Sequence, residues 1–120
     1  MLVLSITMFT IHSNTQPPGI NRLLRMHWAV RKKLQHKLVA EIEEAYDCDL
    51  IKGPVTVEYT RRSIRLMDWD NAAGSFKLIG DALVECGILE DDNPKVIKVF
   101  KVKQEKVPHR NEQGFTVKIY

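Results

Sequence analysis

Hydrophobic and polar residues divide this chain into segments of different period. Residues 1 to 8 alternate, with Leu2, Leu4, Ile6 and Met8 on one side and Val3, Ser5 and Thr7 on the other, the period-two pattern of a strand. In "NTQPPGIN" (14 to 21) two prolines and a glycine deny both helix and ladder, so this is a loop. From Met26 to Tyr46 the period is helical: Val30, Leu34, Leu38 and Ile42 recur every four residues among lysines and glutamates. "IKGPV" turns the chain into "VTVEYTRR", where Val55, Val57 and Tyr59 alternate with Thr56, Glu58 and Thr60, a half-exposed strand. A second helix starts somewhere after Asn71, carries Phe76, Ile79 and Leu83 as its apolar stripe, and ends at Gly87, a residue suited to a left-handed closing position. "EDDNPK" is a loop. "KVIKVFKVK" and "GFTVKIY" read as two strands joined by the polar "EKVPHRNEQ". The order β-α-β-α-β-β predicts an α+β fold, a mixed sheet packed with two main helices.

Length sharpens this picture. A chain of 120 residues is one domain, 1 to 120, long enough to bury about two thirds of its unfolded surface in one core. No apolar stretch approaches the ~20 residues that span a bilayer. "MLVLSITMFTIHS" lacks a basic leader and reads as a strand rather than a secretory signal. Cys48 and Cys86 have no metal-ligand spacing and fit reduced thiols, so the expected compartment is the cytoplasm, with no membrane partner.

Charge adds an asymmetry that the net value of +3 understates. Residues 1 to 40 contain no acid but carry Arg22, Arg25, Arg31, Lys32, Lys33 and Lys37. A second acid-free run, 93 to 104, carries Lys95, Lys98, Lys101 and Lys103. Segregation of this kind suits a polyanionic partner, most plausibly nucleic acid, although a merely solvated basic face gives the same count. The four histidines are scattered without a zinc motif and read as structural or surface residues. Trp28 reads as a helix core or interface residue rather than a base-stacking platform.

The acids carry the remaining chemistry. If "MDWD" continued a strand, Asp68 and Asp70 would point the same way and converge on a cation. In a helix they would diverge, and the same residues would serve as a turn and helix cap, with Asp70 or Asn71 capping. Asp91 and Asp92 form a second pair after the second helix.

The series Asp68-Trp69-Asp70-Asn71, then Lys77 four residues before Asp81-Ala82-Leu83, then Gly87 followed by Glu90-Asp91-Asp92, resembles the RusA family of Holliday junction resolvases. "QPPGIN", with Pro17, Pro18 and Asn21, resembles that family's early P-P-x-x-N segment, and the likeness runs from about residue 4 to residue 100. The resemblance implies a homodimeric, Mg²⁺-dependent endonuclease, with Mn²⁺ a plausible substitute, that nicks four-way DNA junctions symmetrically in recombination and repair. Members of this kind are common in phages and prophages. It makes Asp68, Asp70 and Asp92 the metal-binding carboxylates and Lys77 the essential lysine at the scissile phosphate. Asn71, Asp81 and Asp91 become supporting residues. The basic residues Arg61, Arg62 and Arg65, with Arg22, Arg25, Lys32 and Lys33 further out, would contact the DNA backbone; Arg65 is also placed to pair with Asp68.

One departure from the family pattern is the "AAGSF" between Asn71 and Lys77, about three residues extra. A helix starting at Asn71 would run about 24 Å to Cys86 and put Lys77 nearly two turns in. Asp92 could then barely return to Asp70. With "AAG" as loop and a start near Ser75, the helix shortens to roughly 17 Å and Lys77 falls in its first turn, beside the acids. The late start is favoured; the alternative is an Asp92 supplied by the partner subunit.

Overall fold

The computed structural model describes residues 9–120. The alternating stretch over residues 1 to 8 therefore lies outside the described residues. The elements are β1 (Phe9–Ser13), α1 (Ile20–Arg25), α2 (Trp28–Ala45), β2 (Val55–Ser63), α3 (Trp69–Gly74), α4 (Lys77–Glu85), β3 (Ile97–Lys106), a 3-10 turn (Arg110–Glu112) and β4 (Gly114–Ile119). The strands form a mixed sheet in the order β1-β4-β2-β3, so the fold is α+β as the patterning predicts. β1 and β4 are antiparallel, as are β4 and β2, whereas β2 and β3 are parallel. Parallel neighbours need a long crossover, and residues 64 to 96, with α3 and α4, supply it.

The core lies between one sheet face and the helices. Val57 and Tyr59 of β2, Ile11 of β1 and Val117 and Ile119 of β4 meet Leu38 and Ile42 of α2 and Ile79 and Leu83 of α4. The predicted alternation in β2 holds for Val55, Val57 and Tyr59, but the strand is not half-exposed. It lies between β4 and β3, and Thr56, Arg61, Arg62 and Ser63 are buried as well. In α2 the four-residue stripe is buried at Leu38 and Ile42, whereas Val30 is exposed.

Two sequence expectations change. Residues 20 to 25 form a helix, α1, which starts inside the predicted loop directly after Gly19 and buries Leu23. Residues 72 to 74, favoured as loop, are helical in α3. The chain stays right-handed through Ser75 and Phe76, where hydrogen bonds to Ala72 and Ala73 tighten it before α4 begins at Lys77. The main helix thus starts late, as favoured, but behind a short helix rather than a loop. Its end follows the glycine rule: Gly87 has φ +77°, its N–H donates to Val84 O, and Ile88 N–H donates to Leu83 O, the paired bonds of a Schellman close.

Arg62 ties the sheet edge together. Its Nη2 donates to Ser13 O at 2.6 Å, Nη1 to Thr116 Oγ1 at 2.7 Å and Nε to Glu112 O at 3.2 Å. Gly114, at φ +150°, leaves room for this fork, because a Cβ there would sit 2.8 Å from Nη2 and 2.0 Å from Ser13 O. Arg62→Ala removes three bonds from a charged donor and leaves part-buried acceptors behind. It should destabilise the fold by about 2–4 kcal/mol, read as a drop in the urea midpoint, with Arg62→Lys recovering only part.

A second test concerns the α1–α3 contact. A Cβ on Gly74 would lie 2.4 Å from Ile20 Cβ. Helix propensity alone favours Gly74→Ala by up to about 1 kcal/mol, but the overlap costs about 1–3 kcal/mol. The expected outcome is net destabilisation, relieved in the double variant Gly74→Ala/Ile20→Ala.

Candidate active site around Lys77

Asp68 and Asp70 do not prolong β2, which ends at Ser63. The Met67 backbone is held by Gln104, whose Oε1 accepts from Met67 N–H at 2.9 Å and whose Nε2 donates to Met67 O at 2.8 Å. The chain then turns into α3 with Asp68, not Asp70 or Asn71, as its N-cap: the Asp68 Oδ1 accepts from Asn71 N–H at 2.8 Å. Asp70 lies in the first helical turn, where a carboxylate suits the helix dipole. Asn71 faces the other way. Its Oδ1 accepts from Asn21 N–H at 3.1 Å, and its amide packs on Gly19, where a Cβ would come within 2.4 Å. The early "PPGIN" segment and the "DWDN" segment are thus locked together by one side chain.

Lys77 is the first residue of α4. Its Nζ lies 3.0 Å from Asp81 Oδ1 and 3.9 Å from Asp92 Oδ2 of the same chain. The hydrogen bond to Asp81 raises the Lys77 pKa above its ordinary value, with Asp92 adding to it; Arg31 on α2 opposes the rise, so its guanidinium acts on the same surface. Asp91 shapes the loop instead. Its Oδ1 accepts from Asp92 N–H at 2.7 Å and its Oδ2 from Asn93 Nδ2 at 3.0 Å. Beside Lys77 and Asp92 opens an apolar groove of about 420 Å³, walled by Ile20, Gly74, Phe76 and Phe100 among others.

The three carboxylates expected to share a metal are not gathered. Among the described residues, no three His, Cys, Asp or Glu side chains form a group able to hold a metal ion. Asp68 and Asp70 sit at the start of α3, and the extra residues, wound as helix, separate them in the chain from Lys77 at the start of α4. As donors the acids still suit Mg²⁺, which takes hard oxygens and is usually held by one or two carboxylates together with substrate phosphates.

The basic residues divide. Arg61 and Arg62 are buried and unavailable to a DNA backbone, correcting the expectation for both. Arg61 donates from Nε to Pro17 O at 3.1 Å, and its buried Nη1 has no partner among the described residues. Burial lowers both guanidinium pKa values. Arg65 is exposed but is not ion-paired with Asp68 among the described residues. Arg22, Arg25, Lys32 and Lys33 are exposed. Trp28, expected in a core or interface, is 70% exposed. The sequence placed Arg31 in the basic tract but gave no sign that its charge bears on Lys77, because that depends on how α2 crosses α4. No helix among the described residues is long and apolar enough to cross a membrane.

Asp81→Asn removes the largest cause of the raised Lys77 pKa. The Lys77 ammonium should then titrate at lower pH, followed by NMR at Cε. A raised lysine pKa stabilises below the unfolded value near 10.4 and is lost as pH climbs through the folded value. Because Lys77 is half exposed, the stability change should be small, about 0.5 kcal/mol or less, and confined to pH below that alkaline range.

A scan against family models finds none that matches the chain, and a search of curated proteins finds no match, so the resemblance rests on the residues quoted for it.

Proposed function

We propose that this chain is a Mg²⁺-dependent endodeoxyribonuclease that resolves four-way DNA junctions by paired nicks, acting as a homodimer in recombination and repair. The observation that carries the reading is the return of Asp92 to Lys77 within one chain, next to a helix capped by the Asp68 turn and fastened by Asn71 to the proline loop. The separated motifs are thereby joined in two pairs, the proline loop to the Asp68 turn and Lys77 to the loop that carries Asp92.

The energetics of Lys77 support a role in binding phosphate. A cation in the first turn of a helix opposes the dipole, and a Lys followed by an acid four residues later is the weaker orientation of such a pair. Lys77 and Asp81 together contribute at most a few tenths of a kcal/mol. The arrangement does little for the fold, but it keeps a charged ammonium at the surface beside an open groove.

Phosphodiester hydrolysis must activate a water, neutralise charge on the phosphorane-like transition state and release an oxyanion. A bound Mg²⁺ supplies Lewis acidity and a nucleophilic water when present. Lys77 donates to the non-bridging oxygens as charge accumulates there. Asp81 keeps the ammonium protonated and aimed. Asp70 presents an exposed carboxylate in the first turn of α3, and the exposed Arg22, Arg25, Lys32 and Lys33 hold neighbouring phosphates. A twofold dimer matches a junction that must be cut on two strands.

A second reading, a non-catalytic DNA-binding protein on the same fold, draws on a specific observation: Asp68 is spent as a helix cap, and the three carboxylates are not gathered. Cleavage of a synthetic four-way junction with and without Mg²⁺ separates the two. On the nuclease reading, wild type yields paired nicks only with the metal, and Mn²⁺ substitutes. Asp70→Asn loses the nicks but keeps junction binding. Lys77→Met slows cleavage by about 10²–10³-fold, the usual effect of removing one aimed donor. Binding without cleavage under several divalent ions would establish the second reading, and nicking confined to flaps or single strands would change the substrate.

A further inference from the structure

Trp28 opens α2 with 70% of its surface exposed, an unusual position for the largest apolar side chain. It is not a loose side chain. The His27 ring lies against the indole, centroids 5.7 Å apart and planes 30° apart. His27 is itself fixed, because its Nδ1 accepts from Ala29 N–H at 3.2 Å as the cap of α2. Beside the indole is a shallow cleft of about 290 Å³, lined by Met26, Arg31, Lys32 and Gln35. Every charged residue of the first 40 is cationic.

An exposed tryptophan has two common uses, a protein interface or a base-stacking surface. Protein interface centres are depleted of lysine and of charge, arginine excepted. Here the apolar surface is bordered by Arg31 and Lys32, with Arg22 and Arg25 exposed on the preceding helix. Aromatic rings interleaved with cations are the recurrent chemistry of single-stranded nucleic-acid binding, in which rings take bases and cations take the intervening phosphates. The position also has direction. Gln35 Nε2 donates to Glu85 Oε2 at 3.0 Å where α2 crosses α4, and the field of Arg31 reaches Lys77.

We propose that Trp28, braced by His27 and flanked by Arg31 and Lys32, is a stacking site for an unpaired nucleobase, with the cations holding its flanking phosphates. The inference rests on the nucleic-acid reading above and extends it: the substrate presents an unstacked base next to the strand that reaches Lys77. A fully paired duplex offers no such base.

The test uses binding in EDTA, so that cleavage plays no part. The probes are a 15-nucleotide oligothymidylate and an abasic strand of equal length. In a Trp69→Phe background Trp28 is the sole tryptophan. Its emission should be quenched by the oligothymidylate and not by the abasic strand. Trp28→Ala should weaken oligothymidylate binding roughly 5- to 100-fold and leave abasic binding unchanged, with Trp28→Phe intermediate. Arg31→Gln/Lys32→Gln should reduce the salt slope on both strands by about 1.4, two contacts at about 0.7 each. Equal affinity of wild type and Trp28→Ala for oligothymidylate overturns the proposal, as does an equal loss on both strands. A Trp28→Ala variant that changes sedimentation mass but not oligothymidylate affinity assigns the ring to a protein interface and overturns it too. Failure here is separable from failure of the nuclease reading. Junction cleavage with no effect of Trp28→Ala on oligothymidylate binding rejects only the stacking site, whereas Trp28 quenching without any cleavage rejects only the nuclease.

Discussion

The parallel pairing of β2 with β3 is the constraint on which the rest of the molecule depends. Two antiparallel strands can be joined by a hairpin, but parallel neighbours oblige the chain to leave the sheet and come back to the same end. Here the excursion takes residues 64 to 96 and contains every residue of the acid-and-lysine series. Its outward leg is α3 and α4; its return leg begins at the Schellman close and runs back along α4 until Asp92 stands beside Lys77 and Gly80. A crossover of this length has to bury its apolar side, and Leu78, Ile79, Ala82 and Leu83 do so in the core shared with α2 and the sheet. Its polar side is left to chemistry.

Two polar anchors keep that crossover from sliding. On the inner side, Tyr59 of β2 shares a 2.6 Å hydrogen bond with Ser75, at the joint between α3 and α4. Burial pushes the Tyr59 pKa up to about 12, so the phenol remains a neutral partner over the physiological range. On the outer side, Asn71 reaches α1. The joint is therefore fixed to the sheet from below and to the proline loop from the side, and Lys77 follows it by two residues. A lysine on a floating helix end would lose several rotamers' worth of entropy on meeting a phosphate; one held by Asp81 on a pinned helix has part of that cost already met.

What the sequence disclosed follows from how locally each feature is determined. Period-two alternation identified β2, β3 and β4, and Gly87 marked the end of α4, because strand faces and left-handed closes are decided by a few neighbouring residues. α1 was missed because two prolines and a glycine dominate the preceding segment, although proline-rich entry into a helix is permitted when the prolines precede its first turn. Arg61 and Arg62 were misread for a different reason. Charge alone places an arginine at the surface, whereas burial here follows from β2 being flanked on both sides, a fact of pairing order. The acceptors that make it tolerable come from Ser13, Thr116 and Glu112, about fifty residues away in sequence. In "DWDN" the residues were found but their geometry was not: a D-x-D converges or diverges according to whether the strand continues, and the Gln104 clasp on Met67 ends that question in favour of a helix cap.

Burial of Arg61 and Arg62 also redraws the electrostatic surface. With both withdrawn, the exposed cations fall on two surfaces, Arg22, Arg25, Lys32 and Lys33 on α1 and the first half of α2, and Lys95, Lys98, Lys103 and Lys106 in and beside β3, and Arg65 remains as an exposed cation beyond the end of β2. The first of these lies on the helix that packs across α4, where Gln35 bonds Glu85. On the proposed reading, a polyanion drawn to the basic helices is delivered along them toward Lys77, a lysine balanced by two acids. Lys77 differs from the exposed cations of α1 and α2 in this respect: Asp81 and Asp92 hold it in place and partly neutralise it, so on that reading it would bind a phosphate less strongly than an isolated lysine but position it more narrowly. The proposed reading thus divides the work between loose cations that capture a strand by charge and one clamped cation that places it.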